Sequence, residues 1–286
     1  MIILDNFTVI TFSGEGAEEL LQGQLTCDVL KVSKEQSSLG ALCNVKGRVV
    51  SSFILTSENP NQFNLICLKE TASKTIGALE KYFPFYKVEV KQNNNHQLFA
   101  LEKSELKESR DIEASSQQNT FSYKGLKLIH YLEKKFFLVI SKKNDKPPLL
   151  TSAPLSKDIN KWNVDDIYAD NIEITQELSG LYTPHELNYQ KTQRVDFEKG
   201  CYTGQEIVAR MHYRAKNLPK VRLAQFTKGV VQENMTIQTN HGKKVGNIVK
   251  VAKGEEGLIC IASLKIQDKA EDLEIKELNI PFNIIR

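Results

Sequence analysis

FEKGCYTGQEIVAR, residues 197–210, is the stretch on which the reading of this chain turns. A cysteine stands between Gly200 and Tyr202 with charges on both sides. Apolar positions then follow at Ile207, Val208 and Met211, with helical spacing. Thr203-Gly204-Gln205-Glu206 fits the T-x-x-E capping box, so the spacing predicts a helix entered at Thr203. Cys201 would lie two residues before that cap, at the positive end of the helix dipole, with Lys199 beside it. Both features favour thiolate over thiol and suit a nucleophile or a one-electron donor. A small buried cysteine that only precedes a helix fits the same spacing, because free cysteines are usually core residues.

Charge gathers around this stretch. Residues 190–222 carry eight basic and three acidic side chains, a net +5, while the whole chain sums to +3. An anionic partner is one reading and a solvated basic face is the other. The five cysteines are odd in number and widely spread, and the start, MIILDNFTVITF, has no basic lead. Free thiols in a reducing cytoplasm are therefore expected, with no signal peptide. No apolar run reaches the roughly 20 residues of a membrane span, so no membrane partner is expected.

Outward from the motif the chain mixes strands and helices. FTVITFSGEGAEELLQGQLTCDVL reads as strand, turn, helix, and 40–55 as two strands joined at Lys46-Gly47. ASKTIGALEKYFPFY reads as a helix stopped by Pro84, between the strands QFNLICL and KVEVK–QLFALE. Residues 103–119 are polar and aperiodic, and KKNDKPPLLTSAP resembles a linker. GLKLIHYL and FFLVIS read as paired strands. Beyond about Lys220 the texture is all-β, punctuated at Asn240-His241-Gly242 and 254–257, as in a small barrel or sandwich. The predicted class is α+β.

Other motifs carry less. There is no CxxC and no zinc-finger spacing, so no metal site is expected. Gly14-Glu15-Gly16 lacks the rest of a dinucleotide fingerprint. RMHYRAKNLPKVR (210–222) mixes bases with one aromatic, but no recognised nucleic-acid fold surrounds it, and direct nucleic-acid binding is not expected.

KGCYTGQEIVAR resembles the signature of the YgfZ family, folate-binding relatives of the glycine-cleavage T-protein linked to maturation or repair of iron–sulfur enzymes. LLQGQLTCDV (20–29), GALCNVKGRVVSSF (40–53), Trp162 and HGKKVGNI (241–248) are similar to further blocks of that family, so the resemblance runs along nearly the whole chain. It implies a T-protein-like ring of three domains: a first folate-binding α/β domain at 1–48 and 105–220, a second at 49–104, and a C-terminal β-barrel at 221–286. It implies tetrahydrofolate in the central channel, with an anionic, polyglutamylated tail meeting the basic segment. Cys201 and Lys199 become the expected catalytic pair, and Tyr202, Gln205, Glu206 and Arg210 the expected cofactor-binding residues. Iron–sulfur client enzymes, tRNA-modifying ones among them, become the expected partners.

Three departures qualify this. T-proteins have an acidic pair where this chain has Ser51 and Ser52, and a serine cannot serve as a carboxylate near neutral pH. A T-protein-like tetrahydrofolate-dependent aminomethyltransferase is thus the second reading. Ala169-Asp170-Asn171 stands where the family often has Ala-Gly, with Asn171 expected to hold a positive-φ turn. Cys27 replaces a frequent Asn.

Overall fold

A computed structural model describes residues 1–106, 118–143, 154–215, 218–227, 230–265 and 272–286. The polar excursion at 103–119 and the linker at 142–154 fall largely outside these residues. After a two-residue strand β1 (Ile2–Ile3), period-2 alternation builds three sheets.

The first sheet has the order β3-β4-β5-β2-β6, with β2 at Phe7–Ser13, β3 at Ser38–Cys43, β4 at Val49–Asn59, β5 at Gln62–Leu68 and β6 at Glu89–Asn93. Its pairs are antiparallel, with Ile10 opposite Leu65 and Gly40 opposite Phe53. Ile10 and Phe12 point to one face, onto α1 (Ala17–Gln22) and α2 (Lys69–Leu79). Phe7 and Val9 point to the other face. There they meet the second sheet, β1-β7-β10-β9-β8, whose strands are β7 (His96–Glu102), β8 (Thr120–Tyr123), β9 (Leu126–Ile129) and β10 (Phe136–Lys142). Leu98 and Ala100 enter this shared core, while Phe99 and Leu101 between them fill a separate one behind. Trp162 plugs the shared core, with Phe7, Tyr131 and Phe136 edge-on at 6.3, 6.4 and 6.3 Å.

The third sheet holds strands from Lys220 onward, in the order β11-β14-β13-β12-β15-β16. They are β11 (Lys220–Phe226), β12 (Thr236–Thr239), β13 (Lys244–Gly254), β14 (Gly257–Leu264), β15 (Leu273–Ile275) and β16 (Ile280–Pro281). After β16 the chain returns to β11, where Ala224 bridges Ile284. Ile259 and Ile261 face the segment at 167–195, and Cys260 and Ala262 face inward.

The turn at Lys46-Gly47 closes a β3–β4 hairpin, so residues on both sides of it share one sheet. β7 pairs with β10 and joins the second sheet. One expectation needs correcting. Pro84 does not end the helical run, because it sits in the first turn of a new one-turn helix, α3 (Phe83–Tyr86), where a missing N–H costs nothing.

The sheets meet at one buried ionic cluster. Asp166, on α4 (Asn160–Tyr168), accepts from Lys134 on the loop before β10 and, at 2.6 Å, from Lys250 of β13. Burial alone would raise the Asp166 carboxyl, but Lys134 and Lys250 hold it below its ordinary value. Such a group contributes stability that is complete above the unfolded pKa and is lost as pH falls through the lower folded one. Asp166→Asn, which leaves two ammonium groups without their carboxylate, is expected to cost about 3–5 kcal/mol by urea unfolding at pH 7. The difference from the parent protein should shrink below about pH 4. A loss under about 1 kcal/mol at pH 7 would contradict this role for the cluster.

Candidate functional site

The motif loop is moulded by its neighbours more than by its own sequence. The expected capping box at Thr203 does not form. Gly204 is the residue before α5 (Gln205–Arg214), at φ 84°, and no side chain caps the helix. Thr203 Oγ1 instead donates to Gln24 Oε1 at 2.9 Å. The reason is close packing on the β3–β4 turn, since a Cβ on Gly204 would lie 2.4 Å from the Asn44 carbonyl oxygen. Gly47, at φ 67°, lies against Ile207 in the same contact. Only glycine supplies both the left-handed backbone and the room. A capping box does form at Thr183 and Glu186, where Arg48 pairs with Glu186 at 2.9 Å.

Lys199 is buried, not displayed. Its Nζ donates to the carbonyls of Gln22, Leu25 and Cys27 at 2.8, 2.7 and 2.8 Å, which uses all three ammonium hydrogens. Burial pushes its pKa down to about 8, so the group remains mostly charged at neutral pH. Thr26, in the loop that Lys199 grips, ties the 194–196 segment to β3: its hydroxyl donates to Arg194 O at 2.5 Å and accepts from Ala41 N–H at 2.9 Å. Tyr202 is buried beside Lys199, whose Nζ lies 5.4 Å from the ring centroid. Cys201 between them is exposed. The other four cysteines are buried, and burial pushes Cys27 up to about 11 and Cys43, Cys67 and Cys260 up to about 12.

The expected basic segment is less basic at the surface than its count suggests. Arg194 is fully buried, held to Glu173 at 2.6 Å and to the carbonyls of Gly40 and Phe53. Lys199 faces inward as well. On α5, Glu206 and Arg210 pair with each other at 2.8 Å on an exposed face.

A cavity of about 280 Å³ lies between the first and third sheets and α4, lined among others by Phe7, Lys69, Asp166, Glu173, Glu233 and Lys250. None of the six site residues expected from sequence lines it. Glu173 accepts from Arg194, Asn171 and Ser52. Ser51 is bonded to Thr75 at 2.8 Å. Burial raises the Glu233 carboxyl, with Lys250 opposing and Glu70 and Glu177 adding to the rise. Asn171 is not the positive-φ residue of its turn. That is Asp170, at φ 53°, which leaves Asn171 buried to donate to Asp166 and Glu173. The legible signal for this cavity was DDIYADNIEI, where acids and amides interrupt an otherwise apolar, element-forming run.

Sequence comparison bears out the resemblance. The chain is 28% identical over 281 residues to tRNA-modifying protein YgfZ of Aliivibrio fischeri, covering 96% of this chain and 87% of that protein. The protein of the same name from Colwellia psychrerythraea is 29% identical over 280 residues, covering 94% and 86%. That of Shigella sonnei is 24% identical over 307 residues, covering 99% and 93%. The YgfZ proteins are homologues of this chain. No family model matches. Among solved structures, the glycine cleavage system aminomethyltransferase T of Bartonella henselae superposes with a TM-score of 0.69 at 14% identity, over 98% of this chain and 82% of that one. The fold is therefore mixed α/β and T-protein-like. Among the described residues no helix is long and apolar enough to cross a membrane, and no cluster of His, Cys, Asp and Glu could hold a metal ion.

The Lys199 clamp yields a direct test. Lys199→Met removes the donor from three buried carbonyls and is expected to cost about 2–4 kcal/mol. Amide exchange of Thr26 and Ala41 should accelerate with it. Unchanged exchange at both amides would show that the loop holds without the ammonium.

Proposed function

We propose that the protein is a cytoplasmic folate-binding accessory factor for assembly or repair of iron–sulfur enzymes, tRNA-modifying ones among them, with Cys201 as its working thiol. One observation carries this reading: four cysteines are buried, and Cys201 alone among the five is exposed, on a loop whose shape Gly204 and Lys199 fix. An accessible thiol on a preformed loop can attack an electrophile or ligate iron, for which soft thiolate sulfur is a natural ligand. Lys199 acts by position, because its hydrogens are committed to carbonyls.

The inter-sheet cavity fits the head of a reduced folate. A buried carboxylate is an acceptor for the ring N–H and amino groups of a pterin, and Glu233 would take them. About 280 Å³ suits a bicyclic head and not the whole molecule, so the glutamate tail would leave the cavity. When bound, the folate supplies a carrier for one-carbon units. On this reading the three sheets form three units, the first and third of which wall the cavity. The third, closed by the Ala224–Ile284 bridge, is a barrel. Gln205, Glu206 and Arg210 then belong to the surface beside the thiol and not to the folate.

The aminomethyltransferase reading keeps one observation in its favour, because Ser52 Oγ donates to the Glu173 carboxylate at 2.7 Å. Both oxygens of that carboxylate are already engaged by Arg194, Asn171 and Ser52, which leaves it poorly placed to accept a proton from a substrate.

Alkylation of the native protein, read by peptide mapping, is expected to modify Cys201 well before the four buried cysteines. Cys201→Ser should fold normally and fail to restore iron–sulfur enzyme activity in cells lacking the native protein. Equal labelling of all five thiols, or full rescue by the serine variant, would remove the thiol from the mechanism.

A further inference from the structure

A second recess, of about 700 Å³, opens where α5 ends, and it shares no lining residue with the inter-sheet cavity. It runs between the 27–31 turn, the start of β3, Tyr131-Leu132 and the 192–198 segment. Neither Cys201 nor the folate reading uses it.

Four features of its wall point to one kind of ligand. The first is an aromatic corner. Phe197 and His212 stack at 3.8 Å and 20°, and Tyr213, a residue 66% exposed, stands edge-on to His212 at 4.8 Å and 84°. The second is an orphaned hydroxyl. Thr192 is 4% exposed, lines the groove, and its Oγ1 has no hydrogen-bond partner among the described residues. A buried hydroxyl without a partner is destabilising, and a small turn of the Thr192 side chain toward the groove would let an incoming polar group satisfy it. The third is backbone strain on the wall itself: Gln193 at φ 58° and Leu132 at φ 53° are held in a region that side chains avoid. Gln193 itself is exposed and lines the groove. The fourth is charge. Among the described residues the lining carries the carboxylates of Asp28, Asp196 and Glu198 and one ammonium, Lys31, already paired with Asp196 at 2.6 Å and Asp28 at 3.5 Å.

We propose that this groove binds a nucleobase, with no phosphate inside the groove. A flat π-face stacks on the Tyr213–His212 corner, as bases do on aromatic shelves in single-strand binding proteins. The Gln193 amide offers the paired donor and acceptor that read a base edge, and the Thr192 hydroxyl supplies a further bond. Glu198 is placed to accept from a sugar hydroxyl, while paired Lys31 leaves no free ammonium for a phosphate among the described lining residues. An apolar ligand would leave Thr192 orphaned, and an anionic one would meet three carboxylates. The base can come from a free nucleoside or from a single-stranded RNA whose backbone stays outside.

Calorimetry and ligand-observed NMR with adenosine, guanosine, cytidine and uridine test this on the full chain. At least one nucleoside should bind saturably, and its 5′-monophosphate should bind more weakly at low salt. Tyr213→Ala, at an exposed position, should weaken binding roughly tenfold. Thr192→Val, which keeps the shape and removes the hydroxyl, should weaken it roughly fivefold. Competition by a short single-stranded RNA containing that base assigns the base to RNA, and lack of competition assigns it to free nucleoside; both uphold the site. No binding of any nucleoside at ~1 mM, a tighter monophosphate, or undiminished affinity in Tyr213→Ala overturns the proposal.

Discussion

The carboxylate of Asp166 is the constraint on which the rest of the molecule depends. It is fully buried and takes Lys134 from the loop that leads into the second sheet, Lys250 from the third, and the amide of Asn171. Through Asn171 it reaches Glu173, and through Glu173 it reaches Ser52 of β4 and Arg194. Arg194 closes the circuit on the first sheet by donating to the carbonyls of Gly40 and Phe53. Buried ions cost heavily unless each has its partners. The sheets are therefore held in one arrangement, because sliding any of them would strand a charge in the core. Apolar packing alone, which tolerates volume-conserving shifts, would not impose this.

Two consequences reach the functional surfaces. The cluster itself forms part of the wall of the inter-sheet cavity, so the cavity's acceptors are rigid before any ligand arrives. Arg194 also anchors the strand of chain that leads to the thiol. Asp196 N–H donates to Thr26 O at 2.9 Å, Lys199 clamps residues 22–27, and Gly204 locks onto the β3–β4 turn. Cys201 is thus exposed while both of its flanks are fastened to buried structure. An accessible thiol on a rigid base can meet a partner without losing much conformational freedom.

Much of the fold was legible because strand patterning is local. The alternation of Leu98 and Ala100 with Phe99 and Leu101 records a sheet between two cores, and Gly242 and Gly257 mark hairpins that form as expected. The capping box failed because Thr203 found a partner 179 positions away, in Gln24, while Gly204 had to turn left-handed to clear Asn44. The basic segment was overcounted because composition records a charge and not its partner, and Arg194 and Lys199 spend theirs internally. The substitution of Ser51 and Ser52 for an acidic pair was legible. That a carboxylate returns beside Ser52 from Glu173 was not, because nothing local links them. The aromatic corner was hidden too, since Phe197 and His212 lie on different elements and meet only when α5 packs back.

The molecule holds a rigid acidic cavity and a separate, displayed thiol. Hydrogen exchange of the protein with and without tetrahydrofolate tests that separation most directly. Saturable binding with protection at Phe7, Thr175 and Val251, around the cavity, and an unchanged response in Cys201→Ser are the expected result. Protection confined to the Gln205–Arg210 face of α5, or no change anywhere at saturating tetrahydrofolate, would contradict it.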